Sequence, residues 1–271
     1  MEAIVTSYKT FSLEGTLKFE HIRFFLQNGF LHFNNFLSPV EVKNILASII
    51  KVQKEWIQQA REKINGIPII YGHDENNNRI VHRFPFTSLY SPILHKLVQD
   101  EKLKPLLKFI KQGRIAEDER DGVVVNQFIN NKKSRMKQLG WHTDGLRDIF
   151  YLQKVKPMLN VGIYLTDSTK EHGGLRVLPG THKQGIGGLL FRKLHFISNK
   201  PDKNEVAIVA RAGDMVVHHG SLWHRVAYSK LMGAASRRIV MYIPIICGKC
   251  KPKTDKSWTP FYHKIRILPK K

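Results

Sequence analysis

Two stretches of the chain, Trp141 to Gly145 (WHTDG) and His218 to Arg238, supply two histidines, one carboxylate and an arginine in a fixed order. Two imidazoles and one carboxylate can bind a divalent metal on one face and leave the opposite positions open for other ligands. Residues two apart on a strand share a face, so His142 and Asp144 can aim at one ion while Thr143 points away. The Val-rich segment from Asp121 to Ile129, with its alternating polar residues, predicts a strand leading to that triplet. An H-x-D triplet alone says little in a chain with 13 histidines. It gains weight only from a third ligand elsewhere.

That ligand is expected downstream. Gly213-Asp214 reads as a turn, Met215 to Val217 as a short apolar strand, and His218, His219 and His224 follow. His224 is the choice for the third metal ligand; one of His218 and His219 is expected to pack or to support a ligand by a hydrogen bond. A loop from Val226 to Ser236 then leads into an apolar strand, Arg237 to Ile246, opened by two arginines. A guanidinium there could grip the far carboxylate of a keto-diacid whose other end chelates the metal, which makes 2-oxoglutarate the expected cosubstrate. Arg237 shares a face with Ile239, Met241 and Ile243, and Arg238 with Val240, Tyr242 and Pro244. The first face looks more like a barrel lining, so Arg237 is favoured, with Arg238 as the alternative.

At these residues the chain resembles the phytanoyl-CoA dioxygenase (PhyH-like) branch of the Fe(II)/2-oxoglutarate oxygenases. Gly173 to His182 (GGLRVLPGTH) resembles the family's G-x-L-x-x-lPGTH segment, and Gly213-Asp214 through Leu222-Trp223-His224 resembles its G-D-x-x-x-F-H-x-x-x-x-H element. The opening also matches in style, with Gly29-Phe30-Leu31 leading to Leu37-Ser38-Pro39, so the resemblance covers residues 17–246. It implies a double-stranded β-helix (jelly roll, cupin-like) core with amino-terminal helices packed on the sheet. It also implies Fe(II) held by His142, Asp144 and His224, 2-oxoglutarate as cosubstrate on Arg237, dioxygen, and ascorbate as a candidate reductant. The expected reaction is hydroxylation of a C–H bond in a small organic or acyl-thioester substrate, with release of succinate and carbon dioxide. Halogenating relatives replace the carboxylate ligand with a small residue; Asp144 is kept here, which argues for hydroxylation.

The elements that must position these groups follow from pattern. Ser38-Pro39-Val40-Glu41 is a capping box with proline at the first helical position, and Val42, Ile45, Leu46, Ile49 and Ile50 follow at helical spacing. A long helix from about Pro39 to about Gln59 is expected, with others at Lys18 to Gln27 and near Glu101 to Lys111, the last limited by Pro105. Beyond Asp121 the pattern turns to short apolar runs at Val161 to Leu165, Leu175 to Leu178, Val206 to Val209, Met215 to Val217 and Ile239 to Ile246. Short strands with closely spaced turns favour a mainly β (α+β) chain with a double-sheet jelly roll. One oxygenase domain over residues 1–271 is expected: a helical amino-terminal region (about 17–115), a jelly-roll core (about 121–246) and a basic tail (about 247–271).

Composition bounds the alternatives. With 271 residues and 42% hydrophobic content the chain can bury a substantial core, and neither a signal peptide nor an apolar run of membrane-spanning length is visible. The carboxyl-terminal Pro269-Lys270-Lys271 is not a peroxisomal address, so a cytoplasmic protein is expected. Cys247 and Cys250 form a C-x-x-C without the further ligands of a zinc site or the setting of a redox motif, and read as reduced thiols. The net charge of +22 reads first as a solvated, lysine-rich surface; it also suits a CoA ester or an acidic carrier as partner, and the alternative function it invites is a catalytically degenerate scaffold that binds nucleic acid or another polyanion. The charges are dispersed and no nucleic-acid motif organises them, which argues against nucleic acid. His73-Asp74-Glu75 offers a second H-x-E, but in an asparagine-rich loop without a distal partner. Trp141, Phe150, Tyr151 and Trp223 could line a pocket, although such aromatics more often fill a core.

Overall fold

The computed structural model describes residues 8–146, 148, 155–248, 250–261 and 263. In chain order these form α1 (Phe19–Asn28), β1 (Phe30–Phe33), α2 (Pro39–Gln58), β2 (Lys63–Ile64), β3 (Ile67–Pro68), β4 (Ile70–His73) and β5 (Arg79–Phe84). There follow α3 (Pro92–Val98), α4 (Lys104–Leu107), β6 (Gly113–Ile115), β7 (Val124–Asn130), β8 (Leu139–His142), β9 (Met158–Tyr164) and β10 (Gly174–Val177). The last are α5 (Ile186–Phe191), β11 (Val206–Ala207), β12 (Met215–His219), β13 (His224–Ala227) and β14 (Gly233–Cys247).

Two antiparallel sheets face each other in a jelly roll. The larger runs β1-β12-β9-β14-β7-β5-β4, with β6 also on β14, and the smaller runs β11-β10-β13-β8. Alternation along each strand gives the larger sheet two different faces. Ile239, Met241, Ile243 and Ile245 of β14 join Leu159, Val161 and Ile163 of β9 and Met215 and Val217 of β12 in one cluster with Val42, Ile45, Ile49, Val52 and Trp56 of α2. The opposite face carries Val240, Tyr164 and Val216 against Leu175 and Val177 of the smaller sheet. The architecture is thus helices, larger sheet, smaller sheet.

α2 forms where its capping box predicts. Ser38 Oγ accepts from Glu41 N at 3.3 Å, Glu41 Oε2 accepts from Ser38 N at 2.7 Å, and Pro39 stands in the first turn. The cap contributes about 1 kcal/mol, far less than the buried stripe, where each large apolar side chain contributes about 1.5–3 kcal/mol. Glu101 to Lys111 is not one helix: a 3-10 turn at Glu101–Leu103 gives way to the single turn of α4, with Pro105 near its start.

The amino-terminal region is less purely helical than its pattern suggests. β1 pairs with β12, and β5 pairs with β7, so residues 30–33 and 79–84 belong to the larger sheet. The asparagine-rich stretch is the hairpin between β4 and β5. Asp74 Oδ1 accepts from Asn76 N at 3.0 Å and Asn78 N at 2.8 Å there, a turn role that accounts for the H-x-E decoy. Gly213 shows why its turn needs glycine: φ is +96°, and a Cβ would stand 2.5 Å from Leu37 O. Beside it Asp214 accepts from His32 Nε2 at 3.0 Å and from Asn35 N at 2.9 Å, tying the β12 turn to β1.

Candidate active site

β8 and β13 are neighbours in the smaller sheet, and their register sets His142 opposite His224. The imidazole centroids lie 4.1 Å apart. Asp144 follows two residues beyond His142, past the end of β8, and one donor atom from each of His142, Asp144 and His224 lies within 4.8 Å of the other two. All three residues are buried.

The tautomers follow from the backbone. His142 Nδ1 donates to Gly140 O at 2.8 Å, and His224 Nδ1 donates to Leu222 O at 3.0 Å. Each contact puts the proton on Nδ1 and turns the Nε2 lone pair towards the partner residues. His142 also stacks on Phe196, with centroids 4.8 Å apart and planes 25° from parallel. The ring is therefore restrained by a hydrogen bond at one edge and by packing on its face.

The larger sheet orients the carboxylate from across the barrel. Asn160 on β9 and His218 on β12 are directly paired, and both reach Asp144 Oδ2, Asn160 Nδ2 at 2.8 Å and His218 Nε2 at 3.0 Å. His218 thus takes the supporting role anticipated for one of the two neighbouring histidines. His219 points elsewhere: its Nδ1 accepts from Ser221 N at 3.1 Å, and burial first, then His182 and His218, pulls it down to about 4. Asn160 was not anticipated, although a lone asparagine on the face shared with Met158, Gly162 and Tyr164 marks a polar task inside an apolar strand.

The two arginines at the start of the final strand part company. Arg237 lies on the face away from the smaller sheet, is about one-third exposed, and approaches Glu75 of the β4–β5 hairpin at 3.7 Å. Arg238 is 3% exposed and lies on the inner face with Val240 and Tyr242. Its guanidinium carbon is 5.1 Å from the Phe128 ring centroid, and Nη2 donates to Ala227 O at 3.4 Å. Burial pulls it down to about 10, against the pull of Tyr164 and Tyr242. The apolar face that suggested Arg237 is the one α2 covers, so the expectation moves to the alternative, Arg238.

Arg238 is unusual among the five buried arginines of the described residues. Arg83 pairs with Asp121 at 2.7 Å, Arg120 with Asp148 at 2.6 Å, Arg176 with Glu205 at 3.7 Å and Arg225 with Glu205 at 2.6 Å. Arg238 pairs with no carboxylate among the described residues, and its Nε has no hydrogen-bond partner there. A buried cation without a counter-charge is costly, and an anionic ligand would supply the balance.

A cavity of about 70 Å³ opens on the cluster, lined by His142, Asp144, His224 and Asn160 and by Phe128, Val226, Phe196, Tyr242, Arg83 and Arg120. Of the other residues singled out, Trp141 and Trp223 are fully buried and pack with Leu178. His182 Nε2 donates to Leu26 O at 3.2 Å. Phe150, Tyr151 and the basic run 264–271 lie outside the described residues. No described helix is long and apolar enough to cross a membrane.

Residues 25–227 match the family model described as phytanoyl-CoA dioxygenase (PhyH). The chain is 26% identical over 167 residues to a "probable alpha-ketoglutarate-dependent hypophosphite dioxygenase" of Stutzerimonas stutzeri, covering 60% of this chain and 53% of that protein. It is 25% identical over 175 residues to an ectoine dioxygenase of Bordetella parapertussis, covering 63% and 51%. The chain thus spans about half the length of these curated relatives. Among solved structures, SnoK, a non-heme alpha ketoglutarate dependent carbocyclase from nogalamycin biosynthesis, superposes with a TM-score of 0.62 at 17% identity, over 97% of this chain and 95% of that one. HygX from Streptomyces hygroscopicus, with nickel and 2-oxoglutarate bound, gives 0.62 at 14% identity, over 88% and 90%. These likenesses establish the double-stranded β-helix fold.

Proposed function

Because the chain belongs to the phytanoyl-CoA dioxygenase (PhyH) family, we propose that it is an Fe(II)- and 2-oxoglutarate-dependent dioxygenase that hydroxylates a C–H bond of a small organic or acyl-thioester substrate. The observation that carries this reading is the convergence of one donor atom each from His142, Asp144 and His224, with both imidazoles fixed through Nδ1. Two neutral nitrogens and one carboxylate oxygen on one side fit Fe(II) and suit neither a closed zinc site nor calcium. The relatives named for hypophosphite and for ectoine carry names of small molecules, which supports a small substrate here.

When bound, Fe(II) lets dioxygen put one oxygen atom into the substrate C–H bond and the other into 2-oxoglutarate, which leaves as succinate and carbon dioxide. The protein's own part is positioning. His142 and His224 present Nε2, and Asn160 and His218 hold the Asp144 carboxylate from the opposite sheet. Arg238, in place of Arg237, would neutralise the far carboxylate of 2-oxoglutarate, since it is the buried cation without a carboxylate partner among the described residues. Phe128, Val226 and Phe196 make one side of the cavity apolar and keep water away from the reacting carbon.

The test is succinate formation by the purified chain with Fe(II) and 2-oxoglutarate. The native protein should turn over 2-oxoglutarate in a strictly iron-dependent way, and Asp144→Ala should reduce this by about 10³-fold or more. Succinate formation unaffected by Asp144→Ala would remove the triad assignment.

A further inference from the structure

β8 is the edge strand of the smaller sheet, and residues 196–200 run beside it without belonging to a strand themselves. Phe196 N donates to Trp141 O at 2.8 Å, Trp141 N donates to Ser198 O at 2.8 Å, and Trp141 Nε1 donates to Lys200 O at 2.8 Å. These bonds lay the Phe196 ring over His142 and make it a wall of the cavity of about 70 Å³. Two backbone features specify the placement. Phe196 is left-handed at φ +59°, a conformation that a bulky residue adopts only where its surroundings impose it. Gly140, two residues before His142, lies so close that a Cβ there would stand 2.7 Å from Phe196 C and O.

The segment that carries Phe196 is tied down lightly elsewhere. Leu189 is buried, but Phe191, Leu194 and Ile197 turn outward at 83%, 64% and 77% exposure, so little apolar burial opposes its opening. At its start stand Gly185, Gly187 and Gly188. A Cβ at Gly185 or Gly187 would meet nothing within 4 Å, and neither residue has a positive φ, so neither a contact nor a turn demands glycine there. What glycine adds at such positions is backbone freedom, as a hinge requires. Phe196 is the one residue of this segment that lines the cavity; Phe128, Leu139 and Val226, the apolar residues around it, stand on β7, β8 and β13. A movement of the segment therefore carries away the Phe196 wall and leaves the others in place.

We infer that residues 185–200 form a gate over the cavity and that Phe196, its closing side chain, is the specificity-determining residue of the proposed reaction: it limits what reaches His142, Asp144 and His224 to a group small enough to lie beside its ring. Exclusion here is steric, because a ring held by a strained backbone and two β8 hydrogen bonds cannot yield sideways while the gate is shut. The specificity half of this statement rests on the dioxygenase reading; the gate itself does not.

Hydrogen exchange of the metal-free protein tests the gate. The Phe196 and Trp141 amides close on the same contact and should exchange at one common rate, at least about tenfold faster than the Met241 amide of β14. Exchange as slow as that of Met241 would overturn the gate. The cobalt(II)-loaded protein tests specificity, with imidazole and 4-phenylimidazole as probes for the open side of the ion and the visible cobalt bands as readout. Native protein should bind imidazole at least about tenfold more tightly than 4-phenylimidazole. Phe196→Ala removes the ring that the larger probe adds, and should tighten 4-phenylimidazole by about tenfold or more while imidazole stays within about threefold. Gly140→Ala keeps Phe196 but displaces its backbone, and should shift 4-phenylimidazole in the same direction. Gly187→Ala, at an exposed position with open space in α5, should raise the melting temperature and slow imidazole entry by about threefold or more. Entry at the native rate in Gly187→Ala removes the hinge, and the same preference between the two azoles in native and Phe196→Ala protein removes the role of Phe196. A native protein that never develops the cobalt bands counts against the dioxygenase reading and takes the specificity half with it, while the exchange rates still decide the gate.

Discussion

The two faces of β14 do opposite work. Ile239, Met241, Ile243 and Ile245 are apolar without interruption and lock the larger sheet to α2. Arg238, Val240, Tyr242 and Pro244 form the mixed face, and Tyr242 and Pro244 line the cavity at His142, Asp144 and His224. The more hydrophobic face of a barrel strand is therefore the one that packs on helices here, and the chemistry lies on the face that tolerates a buried arginine and tyrosine. A ligand-holding interior must keep polar groups that a pure core would exclude.

That contrast can be broken by exchanging its members. Arg238→Ala should weaken 2-oxoglutarate binding by about 10³-fold, the scale of losing a desolvated charge partner, whereas Arg237→Ala, whose side chain meets Glu75 near the surface, should change it by less than about threefold. Equilibrium binding of 2-oxoglutarate to the Fe(II) protein reads both. Next in size, Ile243→Ala on the packing face should cost about 3 kcal/mol in denaturant unfolding while leaving cosubstrate affinity of the folded protein unchanged. A matching loss of affinity would show that the two faces are not separable.

Smaller effects sharpen the picture around the triad. Asn160→Leu removes a donor to Asp144 Oδ2 and should weaken Fe(II) binding by tenfold to about a hundredfold, read by competition with a metal indicator. The smallest effect is acid sensitivity at His219. Its folded value of about 4 lies below the ordinary 6.5, so between these the unfolded chain takes a proton that the folded chain refuses. Stability from this residue is complete above pH 6.5 and falls as pH drops towards 4, by no more than about 1.4 kcal/mol per pH unit. Asp214 adds to the same trend lower down: burial raises its carboxyl, but hydrogen bonds led by His32 outweigh this and hold it below the usual range, so its contribution is lost as pH falls through that lowered value. Unfolding midpoints of His219→Gln against pH should be flatter than those of the native protein between 6.5 and 4.

The convergence of His142, Asp144 and His224 was legible because these residues are local to two strands and tied to turns with strong chemical signatures. H-x-D at a strand end and a histidine after Gly213-Asp214 survive any uncertainty of register, and pairing of His142 with His224 then brings the sites together. The arginine was harder, because parity gives two faces but does not say which one the helices cover. Only contact with α2 decides that. The strands at Ile70–His73 and Arg79–Phe84 were hidden for a related reason: they are short, and their place depends on pairing of β5 with β7 some forty residues away. Residues 250–258 read as part of a basic tail because charge runs are usually solvated; the backbone bonds to Asp118 and Glu119 that fold them onto Arg120 are long-range and leave no local pattern.

The proposed function requires a cosubstrate-holding metal centre on the inner face of the barrel, with Arg238 as its anion partner. An anaerobic titration with Fe(II) and then 2-oxoglutarate, followed by the visible charge-transfer absorption of the chelate, addresses it directly. The absorption should appear in the native protein and in Arg237→Ala, and should be lost or shifted to far higher 2-oxoglutarate concentration in Arg238→Ala and in Asp144→Ala. A folded, iron-loaded native protein without that absorption, or a chelate that persists unchanged in Arg238→Ala, would contradict the account.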